Sequence, residues 1–267
     1  MDKVDLKSLD MDGLLEFMAA LGEPSFRARQ LMHWMYEKRA ASIDDITEYS
    51  KGLRQKLSEC AYISSLKLRE RVQCDDGTAK YLLALEDGLS IECVLIPDKE
   101  RLTLCVSCQV GCAQGCGFCK TGTMGILRDL LAHEIVGQVL AVSELIEPGR
   151  ITHIVFMGMG EPLLNLLEVA KAIVGTITGI LGMSPRRITV STCGVVPGIL
   201  DLPSKAPGVN LAVSLNAASD HVRDSIMPIN RCYPIAELVS ACRKFPLKKG
   251  RTITFEYVLL KAINDSL

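Results

Sequence analysis

Leu104-Cys105-Val106-Ser107-Cys108-Gln109-Val110-Gly111-Cys112-Ala113-Gln114-Gly115-Cys116-Gly117-Phe118-Cys119 is the stretch on which the fold turns. Residues 102–107 read as a strand, and the glycines and cysteines that follow break it into a loop. Cys112, Cys116 and Cys119 put three thiolates within eight residues. Three thiolates can grip three irons of a cubane and leave the fourth iron open. The glycines let backbone N–H groups approach a negatively charged cluster, and Phe118 offers an aromatic shield against solvent. A structural zinc knuckle or plain buried thiols would use the same residues, but zinc favours four ligands, commonly in paired spacing. The expectation is therefore a 4Fe-4S cluster on Cys112, Cys116 and Cys119, at the C-terminal end of a strand.

Downstream, strands alternate with helices. Residues 153–158, 187–193, 211–217 and 252–260 are strand-like; 132–146, 166–178, 220–227 and 234–245 are helical. That alternation argues for parallel strands with chemistry gathered where strands end. Upstream, the period changes. Residues 66–73, 79–86 and 89–97 are strand-like and joined through Asp75-Asp76-Gly77 and Glu86-Asp87-Gly88, a hairpin signal. Before them, Leu14, Leu15, Met18 and Leu21 recur at helical spacing up to Gly22. Ser25 is placed to cap a helix bearing Phe26, Leu31, Trp34 and Met35, with short helices expected at 43–49 and 52–60.

The expected fold class is α/β, a partial (βα) barrel. It follows an N-terminal helical domain (1–62) and a small antiparallel β extension (63–98), with the barrel over 99–267. The 267 residues can bury a core without staples. A net charge of −1 gives no global argument for a nucleic-acid or membrane partner. No leader-like apolar run opens the sequence, and none reaches bilayer length, so a cytoplasmic protein with no membrane partner is expected. Eleven cysteines there point to metal binding or catalysis rather than a disulfide framework.

Cys-x3-Cys-x2-Cys with an aromatic before the last cysteine resembles the radical S-adenosylmethionine superfamily, and the wider run from Leu104 resembles the RlmN/Cfr family of ribosomal RNA adenine methyltransferases. Further blocks agree. Met157-Gly158-Met159-Gly160-Glu161-Pro162-Leu163-Leu164-Asn165 follows the second barrel strand; its glycines permit close backbone approach and its carboxylate can accept from an ammonium. Alone, it would read as a Gly-rich turn. By resemblance, Gly160 and Glu161 contact the methionine part of S-adenosyl-L-methionine, and Ser191 of Arg187–Cys193 lies at the same cofactor. Ser214, Leu215 and Asn216 match a further cofactor-binding stretch. Relatives often carry His where this chain has Asn216. Ordinary strand-end caps would explain both serines equally simply.

The resemblance also implies the reaction. A 5′-deoxyadenosyl radical from S-adenosyl-L-methionine takes a hydrogen from a methylated cysteine, and the resulting carbon radical adds to carbon 2 of an adenine. The substrate is 23S rRNA, and tRNA as well. Glu92 corresponds to the base that removes the ring proton. Cys105 corresponds to the cysteine that resolves the adduct, which implies a disulfide in the cycle. By position alone, Glu92 is a solvent-facing strand residue and Cys105 a buried thiol. An electron donor such as flavodoxin is implied as a partner. Carbon 8 specificity, a cofactor- or RNA-binding fragment, and a radical enzyme of another substrate are the alternatives. The methyl-carrying cysteine and a sixth strand are expected beyond Leu267, leaving a sheet edge at the fifth. Arg27, Arg29, Lys38, Arg39, Lys51, Arg54 and Lys56 give the helical region local positive charge, which a solvated face explains as well as RNA does.

Overall fold

Side chains one helical turn apart bury the first region's helices. Leu14 and Met18 of α1 (Met11–Ala20) pack with Leu31 and Met35 of α2 (Phe26–Tyr36) and Leu53 and Leu57 of α3 (Lys51–Cys60). Asp10 caps α1 by accepting the Gly13 N–H, and Ser50 caps α3 by accepting that of Leu53. Ser25 makes no such bond, so α2 starts without the expected cap. The helix expected at 43–49 is one 3₁₀ turn, Ile43–Asp45, closed by the Ser42 and Asp45 side chains. A short parallel pair, β1 (Val4–Asp5) with β2 (Ala61–Tyr62), joins the two ends of this region. The computed structural model describes residues 3–265.

The meander follows as β3 (Lys67–Gln73), β4 (Ala79–Ala84) and β5 (Ser90–Asp98), with Gly77 and Gly88 taking the positive φ its turns require. It is no separate sheet. β5 pairs antiparallel with β6 (Arg101–Cys105), and β6 opens a parallel series with β9 (His153–Phe156), β10 (Ile188–Thr192), β11 (Asn210–Ser214) and β12 (Thr254–Glu256). The eight strands run β12-β11-β10-β9-β6-β5-β4-β3, with β12 and β3 at the edges. A hairpin of β7 (Gln109–Gly111) and β8 (Ile126–Asp129) brackets the cysteine loop.

Crossover helices cover one face: α4 (Ala132–Leu145), α5 (Leu166–Lys171) continuing into a π-helical turn over Ala172–Thr178, α6 (Val196–Lys205), α7 (Asp220–Ile226) and α8 (Ile235–Lys244). Leu104, Ile154, Phe156, Ile188, Val190, Leu211 and Val213 alternate onto that face and are buried. The register then puts every intervening residue on the other face, where the parallel strands end in loops.

Candidate functional site

Cα pairing places four candidate residues, with Glu256 beside them, on that second face. Cys105 pairs with Val94, so Cys105 and Glu92, two positions along β5, share a side. Cys105 also pairs with Val155, Val155 with Thr189, and Thr189 with Asn210. Two-residue steps carry the same side to Ser191 and to Ser214, and Ser214 pairs with Glu256. Glu256 draws the last strands together: its Oε2 accepts from Ser191 Oγ at 2.8 Å and Ser214 Oγ at 3.2 Å. Sequence reasoning assigned Glu256 no role, and its partners Ser191 and Ser214 lie far from it along the chain.

Glu92 is half-exposed and paired with Lys80 Nζ at 2.9 Å. Its backbone is fixed by Ser107 Oγ, which donates to its carbonyl at 2.6 Å. Burial pushes the Cys105 thiol up to about 11, with the Glu256 carboxylate adding to the rise. Cys93 points to the opposite, core face.

The cysteine loop leaves the end of β6 and is tied back at both ends. Cys112 N–H donates to the Gly125 carbonyl at 2.8 Å, and Gly117 N–H donates to the Ile226 carbonyl at 2.9 Å. Gly111 lies at φ +82°, where an added Cβ would sit 1.9 Å from the Gly125 oxygen. At Gly122 a Cβ would press on the Cys116 backbone at 3.0 Å. Burial raises the Cys112 thiol, and raises that of Cys116 to about 11; neighbouring thiols and Glu161 raise both further. Among the described residues, no three Cys, His, Asp or Glu side chains converge on a single-ion site. Three free thiols on a loop lined by glycines are a donor set that fits three irons of a cubane.

Glu161 is buried beside these thiols. Its Oε2 accepts the Cys193 N–H at 2.8 Å and its Oε1 the Leu163 N–H at 3.0 Å. Burial raises its carboxyl above the usual range. Gly160, at φ +100°, passes so close to Gln109 that a Cβ would lie 2.5 Å from that side chain. Gln109 in turn accepts the Glu161 N–H at 2.8 Å and donates to Asp129 at 2.7 Å. Gln109 therefore joins the loop after β6 to the loop after β9, a role that its unremarkable place between two cysteines concealed.

Leu215 N–H donates to the Glu256 carbonyl at 3.0 Å. Asn216, at φ +55°, is buried, and its Oδ1 accepts the Val258 N–H at 2.9 Å. Its side chain holds the chain after β12 rather than standing free. All eleven cysteines are free, Cys105 among them. Of the basic residues in the helical region, Arg27 stacks on Phe26 and Tyr49, Arg39 pairs with Glu147, and Arg54 and Lys56 bind backbone carbonyls. No described helix is long and apolar enough to cross a membrane.

Comparison with known proteins agrees with this geometry. Residues 4–63 match the ribosomal RNA large subunit methyltransferase N-terminal domain, and residues 106–266 match the radical SAM superfamily. The dual-specificity RNA methyltransferase RlmN of Pelobacter propionicus is 52% identical over 267 residues, which is 100% of this chain and 76% of that protein. The RlmN of Geotalea uraniireducens is 50% identical over 268 residues, covering 100% of this chain and 77% of its own length. A crystal structure of a radical SAM methyltransferase from Sphaerobacter thermophilus superposes with a TM-score of 0.91 at 44% identity, covering 98% of this chain and 78% of that one.

Proposed function

The chain belongs to the RlmN family of radical SAM RNA methyltransferases, and on that footing we propose that it methylates carbon 2 of an adenine in 23S rRNA and in tRNA. What carries this reading is one geometric fact: Glu92, Cys105, Ser191, Ser214 and Glu256 share a face of one sheet, beside the loop bearing Cys112, Cys116 and Cys119. When bound, the 4Fe-4S cluster supplies the electron that cleaves S-adenosyl-L-methionine. Glu161 offers a carboxylate to the ammonium of that cofactor, and Gly160, whose contact with Gln109 admits no side chain, sets the backbone beside the methionine end. Ser191 and Ser214, oriented by Glu256, line the nucleoside side. Leu215 and Asn216 shape the adjoining wall through their backbone.

Glu92 takes the proton from the ring carbon, and its half-exposed position lets a base approach it. Cys105 resolves the covalent adduct. Its thiolate would bond to the sulfur of the methyl-carrying cysteine as the carbon–sulfur bond to the product breaks, the released electron pair leaving with the product. The chain divides into a helical region, 1–62, a β extension, 63–98, that continues the main sheet, and a barrel, 99–267. A low-potential donor such as flavodoxin supplies electrons, and an RNA substrate places the work in the cytoplasm.

The test is anaerobic. The chain is reconstituted with iron and sulfide, then given S-adenosyl-L-methionine, dithionite and a 23S rRNA fragment deuterated at adenine carbon 2. Nuclease digestion and mass analysis should show 2-methyladenosine with loss of the label. An 8-methyl product would overturn the position, and 5′-deoxyadenosine without methylated RNA would overturn the methylation reading for this chain.

A further inference from the structure

Arg223 is fully buried, yet its neighbours supply no charge to balance it. Nε donates to the Leu215 carbonyl at 2.9 Å, and Nη1 to Asn230 Oδ1 at 3.0 Å. Nη2 donates to the Cys193 carbonyl at 2.6 Å and the Ser214 carbonyl at 3.2 Å. All four acceptors are neutral. No described carboxylate forms an ion pair with it. Asp220 and Asp224 stand a layer further out, reached only through Asn230, whose Nδ2 donates to them at 3.0 and 2.7 Å. Burying a guanidinium costs several kcal/mol unless an anion compensates it. The four hydrogen bonds engage all three of its nitrogens but leave its charge uncompensated.

The compensating charge has an obvious place. α7, which carries Arg223, ends at Ile226, whose carbonyl receives the Gly117 N–H from inside the cysteine loop. Arg223 is tied to the same end of the sheet on its other side, since Nη2 donates to the carbonyl of Cys193, whose own N–H donates to Glu161. A thiol that ligates metal is deprotonated, so a cluster held by the loop would bring negative charge to this end of α7.

We propose that Arg223 is the internal counter-charge of the cluster: a fixed cation, already spent in hydrogen bonding, that offsets the thiolate-bound metal and makes its reduction easier. Uptake of one electron adds one negative charge to the cluster, and a nearby buried cation favours that state. Because its N–H groups are engaged with carbonyl and amide oxygens, Arg223 acts through space and has no free fork for a ligand carboxylate. The proposal rests on the cluster assignment above.

The experiment uses the reconstituted chain without S-adenosyl-L-methionine or RNA. Its readout is the cluster's reduction potential, taken by mediated titration with electron paramagnetic resonance. Arg223→Met should make reduction at least tenfold less favourable, about 59 mV for a one-electron couple. Arg223→Lys should recover most of that. Asp224→Asn, which keeps the oxygen that Asn230 binds, should shift the equilibrium about twofold toward reduction by removing a competing negative charge. Loading with iron and sulfide should also raise Tm less in Arg223→Met than in the parent chain.

An Arg223→Met chain with full iron content and an unchanged potential would overturn the proposal. So would altered S-adenosyl-L-methionine affinity without any change of potential. Should the Met variant fail to fold, Arg223→Lys and Asp224→Asn decide the matter, and a shift to lower potential in Asp224→Asn would count against it. A parent chain that takes up no cluster would instead overturn the reading of the three cysteines, and this inference with it.

Discussion

Lys80 Nζ lies 2.9 Å from Glu92 Oε1, across the antiparallel pair of β4 and β5. The carboxylate raises the affinity of the lysine for its proton. Lys80 thereby holds Glu92 on the reactive face. Glu92→Gln should slow methylation by about a hundred- to ten-thousand-fold, the usual loss when a general base is removed. Lys80→Met should slow it less, about tenfold, by releasing the carboxylate from its fixed position. Both sit at the surface, so Tm should stay near that of the parent. Equal rates in Glu92→Gln and the parent would remove Glu92 from the mechanism.

Glu256 binds two hydroxyls from neighbouring strands with one oxygen. Donating their protons to it, Ser191 and Ser214 turn their lone pairs outward, ready to accept from a ligand. Hydrogen bonds to a charged group contribute about 1.5–3 kcal/mol each, so losing their shared acceptor is costly. We expect Glu256→Ala to weaken S-adenosyl-L-methionine binding by about tenfold or more, while iron content is unchanged. Equilibrium dialysis beside iron analysis separates the two. A fall in iron without a fall in affinity would assign Glu256 to the loop instead.

Gly111 is where the cysteine loop is most tightly closed. A methyl group there would displace the Gly125 oxygen, which is also the acceptor for Cys112 N–H. The backbone strain alone is worth about 1–3 kcal/mol. At roughly 2–4 °C per kcal/mol for a chain of this size, Gly111→Ala should lower Tm by several degrees. It should also reduce iron retained per chain. Gly52→Ala, in α3 with nothing near its Cβ, is the control and should leave both unchanged.

The barrel order was legible because each parallel strand carries its own apolar alternation: Ile154 and Phe156, Ile188 and Val190, Leu211 and Val213. The cysteine loop was legible because thiol spacing is a local property. α6 was not, since Pro197 at its start, Gly198 and Pro203 within it are poor helix signals, and tertiary burial of Ile199 and Leu202 outweighs them. The hairpin of β7 and β8 was hidden because its two halves flank the loop and pair across it. Arg223 escaped notice for a different reason. In Asp220-His221-Val222-Arg223-Asp224 it looks like one charge on a solvated helix, and only the fold reveals that it alone points inward. Lys80, Gln109 and Glu256 share that difficulty, because each matters through a partner distant in sequence.

The junction of the helical region with α4 contributes to the pH dependence of folding. His133 Nε2 lies 3.3 Å from Asp5 Oδ2, with Lys7, Glu134 and Glu168 also facing it. Burial holds the imidazole below its ordinary value of 6.5, outweighing the pull of the carboxylates. The unfolded chain therefore takes up this proton more readily than the folded one. Stability from this site is complete above about pH 6.5, and it declines as pH falls from there toward the lower folded value. Thermal unfolding between pH 8 and pH 5 should show a lower Tm on the acid side. His133→Gln, which cannot gain the charge, should flatten that slope while leaving the neutral-pH Tm close to the parent's. An acid slope unchanged in the variant would move its origin from His133 to other groups.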